Sequence, residues 1–239
     1  MNSVLIVGAT SGIGQELARQ YARKGWKVGA TGRRAEPLNE LKSQFPAQIF
    51  TSIHDVTATD SLSKIEKLAA EMGGFEVFIY NSGVGIYNRE LAFEIEDKTI
   101  QTNVRGFVEC AGWAYNFFKK QPTGGTLVGI SSVASQMGSS KAPAYSASKA
   151  FMANYLDGLW ARAARYDKKV AVVDIRPGYV TTAMTEQNKG MFWVSSVETA
   201  CRQIISSIEN REKVAYVTRR WRLAAWVMRN LPGAMKRML

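Results

Sequence analysis

Short apolar runs alternate with longer amphipathic segments along the whole chain. Runs at 4–7, 27–31, 49–53, 76–80, 126–130, 170–175 and 214–217 have the length of buried strands. Between them, apolar residues near 13–24, 35–44, 59–72, 91–119, 145–166 and 196–208 recur with a helical period. In the first of these, Ile13, Leu17, Ala18, Tyr21 and Ala22 share one face, and Gly25 follows as a C-terminal stop. Strand–helix alternation of this kind predicts βαβ units. The expected fold class is therefore α/β: a doubly wound, Rossmann-type parallel sheet of about seven strands, with helices on both faces. No repeat, low-complexity stretch or Pro/Gly-rich linker divides the chain, so residues 1–239 are expected to form one domain.

Composition narrows the chemistry. With 46% hydrophobic and 21% charged residues, the 239-residue chain can bury a substantial core without disulfides or a structural metal. Cys110 and Cys201 each lie in a helical stretch, outside any CxxC pair, and His54 is the sole histidine. Two buried free thiols and no metal site are expected. The first strand begins almost at once, which leaves no room for a signal peptide, and no run of 18 apolar residues occurs. A cytoplasmic location is the resulting expectation.

Straight after the first strand comes Gly8-Ala9-Thr10-Ser11-Gly12-Ile13-Gly14, and then a helix. A pyrophosphate needs backbone N–H groups and the positive end of a helix dipole, and glycines let the main chain approach closely. An ordinary tight turn would use glycine too, but the position between strand and helix at the head of a βαβ array favours a dinucleotide. The second strand ends Ala30-Thr31-Gly32-Arg33-Arg34. A carboxylate here would accept hydrogen bonds from a ribose 2′-OH, whereas a guanidinium matches a 2′-phosphate. Arg33 and Arg34 thus point to NADP(H) over NAD(H); two solvated arginines at a strand end are the plainer alternative.

A further cluster stands at Ser131-Ser132, closing the fifth strand, and at Tyr145-Ser146-Ala147-Ser148-Lys149. Tyrosine and lysine four apart on a helix share one face. Carbonyl reduction needs a proton donor beside the substrate oxygen, and an ammonium or an oxidised nicotinamide nearby would make a phenolate easier to form. A strand-end serine hydroxyl can donate to the developing oxyanion. The same spacing recurs at Tyr115 and Lys119, but mid-helix and without such a serine.

The GxxxGxG turn and the Ser132, Tyr145, Lys149 set resemble the short-chain dehydrogenase/reductase family. The resemblance spans Val7 to Thr182, about three quarters of the chain. Val7 stands where the family usually has threonine, and Tyr80-Asn81-Ser82-Gly83 matches the family's Asn-Asn-Ala-Gly segment at Asn81 and Gly83. The resemblance implies that Asp55 and Val56 hold the adenine ring. It implies that Asn103 is a fourth catalytic residue, holding a relay water beside the lysine. From Pro177-Gly178-Tyr179-Val180-Thr181-Thr182 it implies a nicotinamide-binding turn at Pro177, Gly178 and Val180. Thr182 is the matched threonine there, with Thr181 as the register-shifted alternative. The implied reaction is hydride transfer from NADPH to a carbonyl carbon, and the expected substrate is an apolar ketone or aldehyde. Tyr145 gives the proton, Ser132 steadies the oxygen, and Lys149 binds the nicotinamide ribose and lowers the tyrosine pKa. A homodimer or homotetramer through helices 91–119 and 145–166 is implied likewise. Two other readings remain: a non-catalytic NADP(H)-binding regulator or scaffold, and an NAD-dependent alcohol dehydrogenase working oxidatively.

Residues 184–195 fall where a substrate-covering loop belongs. Met184, Met191, Phe192 and Trp193 suit either an apolar pocket or a packed helix. The net charge is +11, and from Arg211 onward eight basic residues face one acid, Glu212. The tail 219–239 mixes arginines with Trp221 and Trp226. It is too short to span a bilayer but suits an interfacial helix on an anionic membrane, or equally a helix covering a subunit interface or the cleft. Nucleic acid is not an expected partner.

Overall fold

The computed structural model describes residues 2–183, 185 and 190–232. Seven parallel strands form one sheet in the order β3-β2-β1-β4-β5-β6-β7. They are β1 (Ser3–Val7), β2 (Lys27–Gly32), β3 (Ile49–Ile53), β4 (Val77–Tyr80), β5 (Gly125–Ile130), β6 (Val170–Pro177) and β7 (Val214–Val217). Helices α1 (Gly12–Arg23), α2 (Ala35–Gln44), α3 (Ser61–Glu71), α4 (Phe93–Ile100), α5 (Gly106–Lys120), α6 (Pro143–Tyr166) and α7 (Val197–Glu209) connect them, and α8 (Trp221–Asn230) follows the last strand. The chain reverses its winding between β1 and β4, which opens a crevice at the carboxyl ends of the strands.

The alternation of side chains along β1 shows why both faces are covered. Val4 and Ile6 pack with Leu17 and Tyr21 of α1, Leu38 of α2 and Ile204 of α7. Leu5 and Val7 point the other way, to Ile65 of α3, Phe107 of α5 and Met152 and Leu156 of α6. A strand buried on both sides has no polar face, hence the continuous apolar runs in the sequence. Cys110 and Cys201 are buried free thiols in α5 and α7, and burial pushes the Cys110 thiol up to about 12.

The segment expected as one helix over 91–119 is broken into α4, a π-helical turn at Gln101–Arg105, and α5. Helical periodicity alone cannot reveal the extra residue that a π turn accommodates. Here the turn buries Asn103 completely and seats Gly106 where a Cβ would lie 2.9 Å from Val56. The decoy pair Tyr115 and Lys119 serves the scaffold. The Tyr115 hydroxyl donates to Asp167 Oδ2 (2.9 Å), and Lys119 Nζ is 3.7 Å from Asp167 Oδ1, which ties α5 to the end of α6.

His54 bridges β2 to α3, with Nδ1 3.1 Å from Thr31 Oγ1 and Nε2 2.9 Å from Ser61 Oγ. Burial holds its pKa down to about 4, against the opposing pull of Asp55 and Asp60. The folded pKa lies below the unfolded value, so the unfolded chain binds more protons between pH 6.5 and 4. This contribution is present at pH 7 and is lost as the pH falls through that window. About 2 kcal/mol should disappear between pH 7 and pH 5. Urea unfolding at the two pH values is expected to show it, with a shallower pH slope in His54→Asn.

Candidate active site

A cleft of about 430 Å³ opens along the carboxyl ends of β1, β2, β4, β5 and β6. Gly8 and Gly12 turn the chain from β1 into α1 with φ of +91° and +54°, values that favour glycine. A Cβ at Gly8 would come within 2.6 Å of the Ser82 backbone, and one at Gly14 within 2.0 Å of the Gly8 carbonyl. The turn is therefore packed to backbone contact. Ser11, the N-cap of α1, makes no side-chain cap, so the helix N-terminus faces the cleft with its first N–H groups available. This is the geometry that a pyrophosphate requires.

At the far end of β2 the two arginines have separate tasks. Arg34 Nη2 donates to the Thr10 carbonyl and hydroxyl, both at 3.1 Å, and so braces the glycine turn. Arg33 lines the cleft, and its charge acts on Asp55 across it. Burial raises the Asp55 pKa, but two hydrogen bonds from Thr57 and the Arg33 charge outweigh that and hold the carboxyl below its usual range. Gly32 leaves no space for an acid, because a Cβ there would press within 2.4 Å of the Thr10 methyl group that Arg34 helps to fix.

The strand alternation at the end of β5 sorts the two serines. Ser131 turns inward and donates to the Asp174 carboxylate, itself paired with Arg176 (Nε to Oδ2 2.6 Å). Ser132 faces the cleft, accepts from Ala134 N (3.1 Å) and lies 3.4 Å from the Pro177 carbonyl. Pro143 starts α6, as its missing N–H permits, and places Tyr145 in the first turn with Lys149 one turn later. The Tyr145 ring lies against Gly85, where a Cβ would be 3.1 Å away.

Burial raises the Tyr145 pKa, and a hydrogen bond with Ser132 offsets part of that rise. The resemblance led to the opposite expectation, a phenol lowered by the lysine. The difference is one of solvation: burial is the larger influence on the phenol, and Lys149 Nζ donates to the Ile130 carbonyl at 2.9 Å. Lys149 is also buried, and loss of water brings its own pKa down to about 8, with Asp174 pulling the other way. At neutral pH the site thus holds a protonated phenol and an ammonium.

Of the residues expected to act in catalysis or to bind the cofactor, all line the cleft except Gly14 and Asn103. Gly14 packs beneath the turn. Asn103 stands one layer back, with Nδ2 donating to Val84 O (2.9 Å) and Ser148 Oγ (3.0 Å) while Oδ1 accepts from Val84 N (2.8 Å). It holds the loop after β4 against α6, beside Gly83. Thr182 rather than Thr181 reaches the cleft, and its methyl group closes toward Gly12. Ser82, Val84, Thr102 and His54 also line it. Nothing in their residue type marks them, since proximity to the strand ends alone puts them there.

Met184, part of the expected covering loop, lies outside the described residues, as do Lys236 and Arg237 of the tail. The rest of the loop meets the tail in a ring cluster. Trp221 packs on Tyr179 (5.4 Å between centroids), Phe192 (5.0 Å) and Trp193 (5.8 Å). The tail's first turn therefore covers the loop beside the cleft, while Leu223, Trp226 and Val227 of α8 stay exposed. No helix among the described residues is long and apolar enough to cross a membrane.

The fold and the cleft match one family. The family model for short chain dehydrogenase covers residues 2–191. The chain is 35% identical over 195 residues to an uncharacterised oxidoreductase of Myxococcus xanthus, covering 78% of this chain and 75% of that one. It is 32% identical over 189 residues to serine 3-dehydrogenase of Agrobacterium fabrum, covering 77% and 74% respectively. Among solved structures, the closed form of serine dehydrogenase complexed with NADP+ superposes with a TM-score of 0.78 at 23% identity, over 90% of this chain and 93% of that one. The protein belongs to the short-chain dehydrogenase/reductase family and is an oxidoreductase.

Proposed function

We propose that this protein is an NADPH-dependent reductase of ketones or aldehydes, with Tyr145 as general acid. The observation that carries the reading is the convergence of Ser132, Tyr145 and Lys149 on the same cleft as the Gly8–Gly14 turn. The bound nicotinamide supplies the hydride. The phenol gives its proton to the carbonyl oxygen, and its raised pKa keeps that proton in place at neutral pH until the oxygen becomes basic. Ser132, hydrogen-bonded to the phenol in the free cleft, turns its one proton to the same carbonyl oxygen when the substrate is bound. Lys149, protonated below about pH 8, holds the ribose hydroxyls, and Asn103 fixes the wall behind it. Oxidation would use the same groups in reverse.

The preference for NADP(H) is supported by Arg33 at the cleft rim, by the lack of room for an acid at Gly32, and by the NADP+ bound to the structural neighbour. Phe192, Trp193 and Tyr179 support an apolar wall for the substrate body. Side-by-side titration with NADPH and NADH tests the reading. Tight binding without reduction of any carbonyl would favour an NADP(H)-binding regulator or scaffold, and binding of neither would remove the reading.

A second reading adds to the first. The outer face of α8 presents Leu223, Trp226 and Val227 beside Arg222 and Arg229, a composition that suits peripheral contact with an anionic membrane. Co-sedimentation with phosphatidylglycerol vesicles should fall several-fold in Trp226→Ser, and equal sedimentation of both forms would remove this reading. Assembly as a homodimer or homotetramer is supported by the exposed Phe151 and Trp160 on α6.

A further inference from the structure

Trp221 is the first residue of α8, is 1% exposed, and has an indole Nε1 with no hydrogen-bond partner among the described residues. Buried donors are almost always paired, because an unpaired one loses its water without compensation. An indole N–H can only donate, so whatever completes it must be an acceptor.

The position of the ring says where that acceptor would come from. A Cβ built on Gly178 would fall 2.1 Å from both Nε1 and Cε2 of Trp221, so the pyrrole edge lies directly on the Gly178 backbone. Gly178 lines the cleft together with Pro177 and Val180. On its other sides the indole is covered by Tyr179, Phe192 and Trp193. Phe192 and Trp193 are themselves 49% and 38% exposed, so the cover is one ring thick. The surroundings are basic: the Arg220 guanidinium sits 5.6 Å from the Trp193 ring centre, and Arg219 and Arg222 flank it in sequence. No acid occurs at 190–196 or at 214–231.

We propose that Trp221 is a substrate-binding residue whose indole N–H donates to a carboxylate or comparable oxyanion that the substrate carries beside its reacting carbonyl. The inference rests on the reductase reading and deepens it. The cleft would reduce the carbonyl of a short oxo acid at Tyr145, with the carboxylate reaching past Gly178 to the Trp221 indole that packs behind it. The ring cluster walls the carbon chain, and the arginines favour the negative charge. It also gives the tail a place in the active site.

The test uses the whole protein with 15N-labelled indoles. The Trp221 signal is identified by its loss in Trp221→Phe. Spectra are taken with NADPH alone, with NADPH plus 4-hydroxybutanoate, and with NADPH plus butan-1-ol at the same saturating concentration. Neither alcohol can be oxidised by the reduced cofactor, so each complex is static. The expected result is a downfield shift of the Trp221 signal with the hydroxy acid and not with the other two. In the same terms, Trp221→Phe should raise the ratio of KM for 4-oxobutanoate to KM for butanal about tenfold, the effect of one hydrogen bond to a charged group. Its NADPH affinity should remain that of the wild type. A signal that stays in place with the hydroxy acid overturns the proposal, and so does one that already moves with NADPH alone. Failure of NADPH to bind the wild type would instead sink the reductase reading on which it rests.

Discussion

Tyr145→Phe is expected to lower turnover about 10³-fold or more, the weight of a positioned general acid. NADPH affinity should change little. The substitution removes one oxygen and keeps the ring that packs against Gly85, and the phosphate turn and Arg33 lie elsewhere along the cleft. Removing the hydroxyl leaves Ser132 able to touch the substrate oxygen but with no proton of suitable acidity to give. Tyr115→Phe is the matched control. It has the same spacing to a lysine, yet its hydroxyl serves Asp167, so it should leave turnover untouched and only loosen the end of α6. Initial rates and a fluorescence titration of NADPH on both variants decide the matter. Near-normal turnover in Tyr145→Phe would remove the tyrosine from the mechanism.

Arg33→Ala is expected to weaken NADPH about 10- to 150-fold, the range for losing one charge-assisted contact. NADH should be affected far less. Arg33 has no hydrogen-bond duty to the scaffold comparable with that of Arg34, whose guanidinium braces Thr10. The substitution also leaves the Asp55 carboxylate at the same rim without its compensating charge, which works against a 2′-phosphate in the same direction. Arg34→Ala should differ in kind, weakening both cofactors because it releases the turn proposed to bind the shared pyrophosphate. Calorimetric titration with the two cofactors separates these outcomes. Equal losses for NADPH and NADH in Arg33→Ala would show that the residue does not read the 2′-phosphate.

Much of the candidate site was legible because a parallel α/β sheet places chemistry at its strand ends. Gly8–Gly14 follows β1, Arg33 follows β2, Asn81 follows β4, Ser132 follows β5 and Pro177 ends β6. Once the strands are found, the register along each one decides which residues meet. What remained hidden depends on side-chain direction and packing. Ser131 and Ser132 are the same residue type one position apart, and only the strand's alternation sends one to Asp174 and the other to the cleft. Arg33 and Arg34 both line the cleft but only Arg34 is tied to Thr10, and of Thr181 and Thr182 only the second lines it. The π turn around Asn103 interrupts a helix whose apolar periodicity runs on through it.

By itself, the sequence determined the fold class and the residues gathered at the carboxyl ends of the strands. These follow from local information: the period of apolar positions, glycine where a turn needs it, and a tyrosine one helical turn from a lysine. Only the tertiary structure decided how burial sets the charges there. It keeps the Tyr145 phenol protonated, brings Lys149 down to about 8 and holds His54 neutral. It also brought Trp221, 43 residues beyond Gly178 in the chain, into contact with the turn beside the cleft. Desolvation and long-range contact are properties of the packed whole, and no local pattern encodes them.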